Sequence, residues 1–121
     1  MYTKRLLQMA ALYLIAGVLL GLGMGISENH LLAPVHAHLN LLGWASMALM
    51  ALIYREFPDA GSTMLAKVHF WLHSLGLPPL MIALTVLMLG NPGAGPVVGI
   101  LSIITGIGVI SFCVNILRFI R

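Results

Sequence analysis

Long apolar runs separated by short polar interruptions dominate the chain. Four of them, at about residues 6–26, 33–54, 65–89 and 97–120, reach the ~20 residues needed to cross a bilayer. In hydrocarbon the backbone has to satisfy its own hydrogen bonds, so runs of this length predict four transmembrane helices and an all-α fold. The interruptions are turn-forming: Ser27-Glu28-Asn29-His30, the stretch from Arg55 to Met64 with Pro58-Asp59 and Gly61, and Asn91-Pro92-Gly93-Ala94-Gly95-Pro96. Connections this short leave no domain boundary, and residues 1–121 are expected to form a single four-span domain.

Composition agrees with the pattern. With 60% hydrophobic and 7% charged residues and a mean hydropathy of +1.05, the chain has too little polar surface for a soluble domain of 121 residues. The six basic residues add orientation. Lys4, Arg5, Arg55, Lys67, Arg118 and Arg121 all fall on the side shared by the N-terminus, the second connection and the C-terminus. The positive-inside rule then predicts cytoplasmic termini in a bacterial-type inner membrane. Scattered over ends and loops, these residues form no stripe of the kind that binds nucleic acid. Lys4-Arg5 before an apolar run mimics a secretory signal, but the run exceeds the ~7–15 residues of a signal core and no A-x-A-like site follows. A lone Cys113 excludes an internal disulfide.

Within the spans, small and polar residues mark where chemistry is expected. Gly17, Gly21 and Gly25 recur every four residues in the first run, with Gly23 between them. They predict a groove open to a helix backbone or a flat ligand. Gly95, Gly99, Ser102 and Gly106 repeat the device in the fourth, and Pro78-Pro79 predicts a kink in the third. Four of the five histidines stand in two patches, His36 and His38 opening the second run and His69 and His73 opening the third. Ionisable groups inside a membrane are costly and mark functional sites. Two residues apart on a helix point about 200° from each other, so His36 and His38 serve two different sites on the flanks of one helix. His69 and His73, four apart, share a face and can meet one ion or one cavity, although His69 also suits an interfacial anchor beside Lys67 and Trp71.

Divergent imidazoles, glycine-lined helices and the absence of an intramembrane carboxylate suit a large, flat, apolar cofactor with axial nitrogen ligands, which describes haem. Zinc wants three or four converging ligands, a set the spacing does not supply.

The motifs themselves carry a resemblance. His36-Ala37-His38 with Leu41-Leu42-Gly43-Trp44 resembles the H-x-H…LGW signature on the tenth helix of haem-copper oxidase subunit I, nearest the C-type (cbb-type) branch. Lys67-Val68-His69-Phe70-Trp71 with Gly76 is similar to the HFW…G stretch opening the eleventh helix of the same subunit. The two motifs stand in the family's order and span about half the chain. The resemblance implies that His36 and His38 ligate two different haems, and that His69 is not a metal ligand. His73 matches nothing in the pattern. The helices carrying the family's copper ligands and tyrosine have no counterpart among four spans, so copper enters only as a family possibility.

The family's twelve helices form three four-helix arcs, so the resemblance further implies a homotrimer in which His36 of one chain and His38 of the next face one pore. The resulting expectation is a b-type haem protein of the membrane, bis-histidine ligated, serving electron transfer or haem and gas sensing. His36 and His38 are its iron ligands, and Gly17, Gly21, Trp44 and His73 are further candidates for the cofactor site. A reduced oxidase-like or nitric-oxide-handling enzyme and a non-catalytic assembly subunit are the alternatives; no complete catalytic site is recognised, and the electron partner is unspecified.

The charge asymmetry is checked by reporter fusions at the C-terminus. A cytoplasmic reporter is expected to be active there and a periplasmic one silent, and the reverse pattern would overturn the orientation.

Overall fold

A computed structural model describes residues 2–120, of which all regular structure is helical. The first span is α1 (Thr3–Ser27). The second is continuous from Ala33 to Glu56 but not uniform: α2 (Ala33–His38) passes into a π-helical stretch, Leu39–Ala45, and then into α3 (Ser46–Glu56). After the short α4 (Pro58–Gly61), α5 (Met64–Met88) forms the third span. A 3₁₀ turn at Pro92–Ala94 leads into α6 (Gly95–Phe119), the fourth. All four spans are long and apolar enough to cross a membrane.

The expected helix boundaries hold to within three residues, the largest difference being at the start of the first span. α1 starts at Thr3, so Lys4 and Arg5 are helical and exposed, where long basic side chains reach the interface while their stems stay in the apolar zone. Pro78 and Pro79 lie inside an unbroken α5, and both are exposed.

Successive spans pack on one another: α1 against the second span, the second against α5, and α5 most extensively against α6. Lipid is as apolar as leucine, so helix association in a membrane draws on close van der Waals packing and interhelical hydrogen bonds. Both are visible at the α5–α6 crossing. Gly76 faces Thr105, and Gly108 lies directly over the backbone of His73 and Leu72. About two turns further along α6, Asn115 is fully buried; its Nδ2 donates to Ala60 O (2.8 Å) and its Oδ1 accepts from Thr63 Oγ1 (2.9 Å). Thr63 is also the N-cap of α5, accepting from Ala66 N at 3.1 Å. One amide thus ties the end of α6 to the connection between the second and third spans.

The glycine rows act differently from the expectation. On α6 the contact stripe is Thr105, Gly108, Ser111, Phe112 and Asn115, whereas Gly95, Gly99 and Gly106 meet nothing nearby. On α1, Gly17 and Gly21 take side chains of the second span, and Gly23 and Gly25 face open space. A third fit of this kind is Gly43 in the π-helical stretch, which receives the Tyr13 ring.

These differences give contrasting outcomes. A Cβ at Gly108 would stand 2.9 Å from His73 N and 3.0 Å from Leu72 Cβ, and backbone cannot step aside. Gly108→Ala is expected to destabilise the fold by about 1–3 kcal/mol through overpacking. Gly99→Ala, with nothing within 4 Å among the described residues, is expected to be neutral or to stabilise by roughly 0.5–1 kcal/mol as a helical Gly→Ala change. Unfolding in sodium dodecyl sulfate followed by circular dichroism checks both.

Candidate functional site

The two histidine patches occupy distinct surroundings. His36 leans on α1: its Nδ1 lies 2.9 Å from Gly17 O, and its ring sits where a Cβ of Gly21 would come within 2.8 Å of Cε1. Only glycine at position 21 leaves that space. Because a carbonyl can only accept, Nδ1–H is the donor and the neutral ring carries its lone pair on Nε2. Asn40 Nδ2 stands 3.4 Å from Nδ1 and 3.3 Å from Nε2. An atom so nearly equidistant from both ring nitrogens lies off the lone-pair axis of each, so this is packing and leaves the Nε2 lone pair uncommitted.

His38 is held by its own helix, Nδ1–H donating to Pro34 O at 2.7 Å, with Nε2 again the free nitrogen. Both imidazoles are half-buried. Donation from Nδ1 to a backbone carbonyl fixes tautomer and ring orientation, as it does for metal-ligating histidines generally. Each ring thus presents one basic nitrogen, and the two rings have different environments, one braced by α1 and one by its own helix.

The second patch is a closed chain. His69 and His73 are both fully buried, as is Tyr54 to within 4%. Tyr54 Oη lies 2.8 Å from His69 Nδ1, His69 Nε2 lies 3.1 Å from His73 Nδ1, and His73 Nε2 lies 2.9 Å from Leu42 O. The terminal carbonyl fixes every proton in the neutral chain. His73 Nε2–H donates to Leu42 O, His73 Nδ1 therefore accepts from His69 Nε2–H, and His69 Nδ1 accepts from the tyrosine hydroxyl.

The π-helical stretch makes the terminus available. Ser46 N bonds back five residues to Leu41 O, and the return to four-residue bonding skips one acceptor, leaving the next carbonyl, Leu42 O, for the imidazole. Phe112 of α6 packs against both Tyr54 and His69, with ring centroids 5.4 and 5.2 Å away.

The structure therefore brings together His36, Gly17 and Gly21, and separately Tyr54, His69 and His73. His73 has both ring nitrogens committed to hydrogen bonds, so it has no lone pair for a cofactor. His69 is no interfacial anchor, being sealed from solvent beneath Phe112. Gly17 and Gly21 seat the side chains of Asn40 and His36. Trp44 is 37% exposed on the outer surface of the second span and His38 makes no contact with α1 through its hydrogen bond. Tyr54 was not anticipated. Its signal is a tyrosine fifteen residues before a histidine across a short turn, a separation that places both at one end of two antiparallel helices.

Among the described residues no three His, Cys, Asp or Glu side chains converge as a metal site. Comparison with protein-family models, characterised proteins and solved structures finds no match. The resemblance to oxidase subunit I accordingly rests on the two motifs.

Removing one member of the buried chain strands its neighbour. Tyr54→Phe leaves His69 Nδ1 without a donor, and His73→Leu leaves both Leu42 O and His69 Nε2–H unpartnered. An unsatisfied buried polar group costs about 1–3 kcal/mol, so His73→Leu is expected to be the more destabilising of the two. Thermal unfolding of the detergent-solubilised variants reads the order, and equal stability to wild type would contradict the chain.

Proposed function

We propose that the protein is a b-type haem protein of the bacterial inner membrane, assembled as a homotrimer with cytoplasmic termini, in which His36 of one chain and His38 of the next ligate one iron. It serves electron transfer or haem and gas sensing. The observation that supports this reading is the pair of half-buried imidazoles whose Nδ1–H groups are engaged by Gly17 O and Pro34 O, leaving Nε2 as the ligand atom of each. These are the donors haem iron takes in axial positions. When bound, haem supplies a one-electron couple or a gas-responsive centre, tuned by its axial ligands and their hydrogen bonds.

The work of the chain's own residues follows from their placement. Gly17 O orients His36, and Gly21 gives its ring room to approach α1. Pro34 O orients His38 within the same helix, so its direction follows the second span as a rigid body. The roughly 200° divergence of the two rings means that one protomer supplies one ligand to each of two sites. Cyclic symmetry completes each site, because every chain presents its histidines at the same height. Three is the number implied by the twelve-helix family layout.

The purified protein is expected to be red and, on reduction, to show the sharp split bands of six-coordinate low-spin haem, with poor carbon monoxide binding. His36→Ala and His38→Ala are each expected to remove six-coordinate haem from every site. A colourless protein that fails to take up added haemin would overturn the reading. Rapid stoichiometric carbon monoxide binding would instead favour an enzyme or sensor with an open axial position.

A further inference from the structure

Two cavities at one end of the molecule adjoin across shared lining residues and are unlike in character. The first, about 880 Å³, is lined by Arg5, Arg55 and Lys67 and by the turn that opens α5. None of the three carboxylates of the chain, Glu28, Glu56 and Asp59, lines it. The first turn of α5 adds N–H groups and a positive helix end to the three cations. The second, about 790 Å³, is a groove between α1 and α5. It shares Arg5, Phe70 and Trp71 with the first and continues past Gln8 and Ser74 to Leu12 and Leu75.

Polarity changes stepwise with depth. α1 and α5 run in the same direction from this end, at ~1.5 Å per residue, so Gln8 lies ~5 Å and Leu12 ~10 Å beyond Arg5. Ser74 Oγ, on the groove wall, is buried without a hydrogen-bond partner among the described residues. An uncompensated buried hydroxyl is unfavourable, and rotation about χ1 into the groove would let it bond a ligand oxygen there and remove that cost. Cations at the mouth, an amide and an unpaired hydroxyl below, and an apolar channel beyond are the sequence of groups along a phospholipid: phosphate, glycerol ester, acyl chain.

We propose that this is a binding site for one anionic phospholipid, its phosphate held by Arg5, Arg55 and Lys67, its ester oxygens facing Gln8 and Ser74, and one acyl chain lying along α1 and α5. Charge complementarity selects the headgroup, because a zwitterionic lipid brings a fourth cation into a cavity lined by three and by no carboxylate. The site lies at the opposite end of the second span from His36 and His38, so it is independent of any cofactor there.

Native mass spectrometry of the detergent-purified, delipidated full chain tests it, by titration with dioleoylphosphatidylglycerol and, separately, dioleoylphosphatidylcholine. One phosphatidylglycerol per chain is expected, held at least tenfold more tightly than phosphatidylcholine. R5Q/K67Q, which alters two exposed side chains and leaves the core intact, is expected to bring the two lipids within about twofold. Ser74→Leu, which fills the groove, is expected to weaken both. Equal affinities in the wild type, or an undiminished preference in R5Q/K67Q, would overturn the site. Displacement of the lipid by millimolar inorganic phosphate would show an anion pocket that does not use the groove, and overturn the lipid assignment. Crosslinking of Leu12→Cys between two chains in native membranes would put a second copy on the groove, with the same consequence.

Discussion

Everything in the interior follows from one constraint: a carbonyl inside a membrane has no water to bond. The π-helical stretch Leu39–Ala45 releases Leu42 O from backbone bonding, and His73 Nε2–H satisfies it. That bond fixes the tautomer of His73, which fixes His69, which requires the hydroxyl of Tyr54 to donate. Three costly polar side chains thereby become mutually satisfied and tie the third span to the second from Tyr54 to Leu42, about half of the second span's length. A fully satisfied network of this kind stabilises a unique packing, whereas a broken one is worse than an apolar core.

The same rule governs the other interfaces. Gly17 O takes the Nδ1–H of His36 and Ala60 O takes the amide of Asn115, so a backbone carbonyl accepts a side-chain proton at the interfaces of both α1 and α6. Glycines matter where a side chain or backbone approaches closely, as at Gly21 beneath His36 and Gly108 over His73. Gly23, Gly25 and Gly99 on the same helices are simply exposed. The consequence for the H-x-H pair is orientation: both imidazoles are held by an Nδ1–H that donates to a backbone carbonyl, which leaves the lone pair of each ring on Nε2.

The four spans were legible because hydropathy and length decide them, and the common face of His69 and His73 followed from their spacing of four. What remained hidden depends on which partner a polar group finds. A π-helical turn leaves no mark in an apolar run, since every residue in Leu39–Ala45 but Asn40 is as compatible with α-helix as with π. Without that turn the acceptor for His73 could not be foreseen. The working stripe on α6 was readable in principle: Thr105, Gly108, Ser111, Phe112 and Asn115 recur at helical spacing, but the period-four glycines beside them looked more conspicuous. Glycine spacing alone does not separate a packed face from an exposed one; polar residues sharing the stripe do.

The central claim is that one haem is shared between His36 of one chain and His38 of its neighbour, and a mixed-chain experiment tests it directly. Chains carrying His36→Ala and chains carrying His38→Ala are co-expressed in equal amounts and the low-spin haem of the purified protein is measured optically. A shared site recovers wherever an intact His36 meets an intact His38, about a quarter of sites for random assembly of a cyclic oligomer, although each variant alone has none. Absence of recovery in mixed oligomers, or full low-spin haem in either variant alone, would contradict the account.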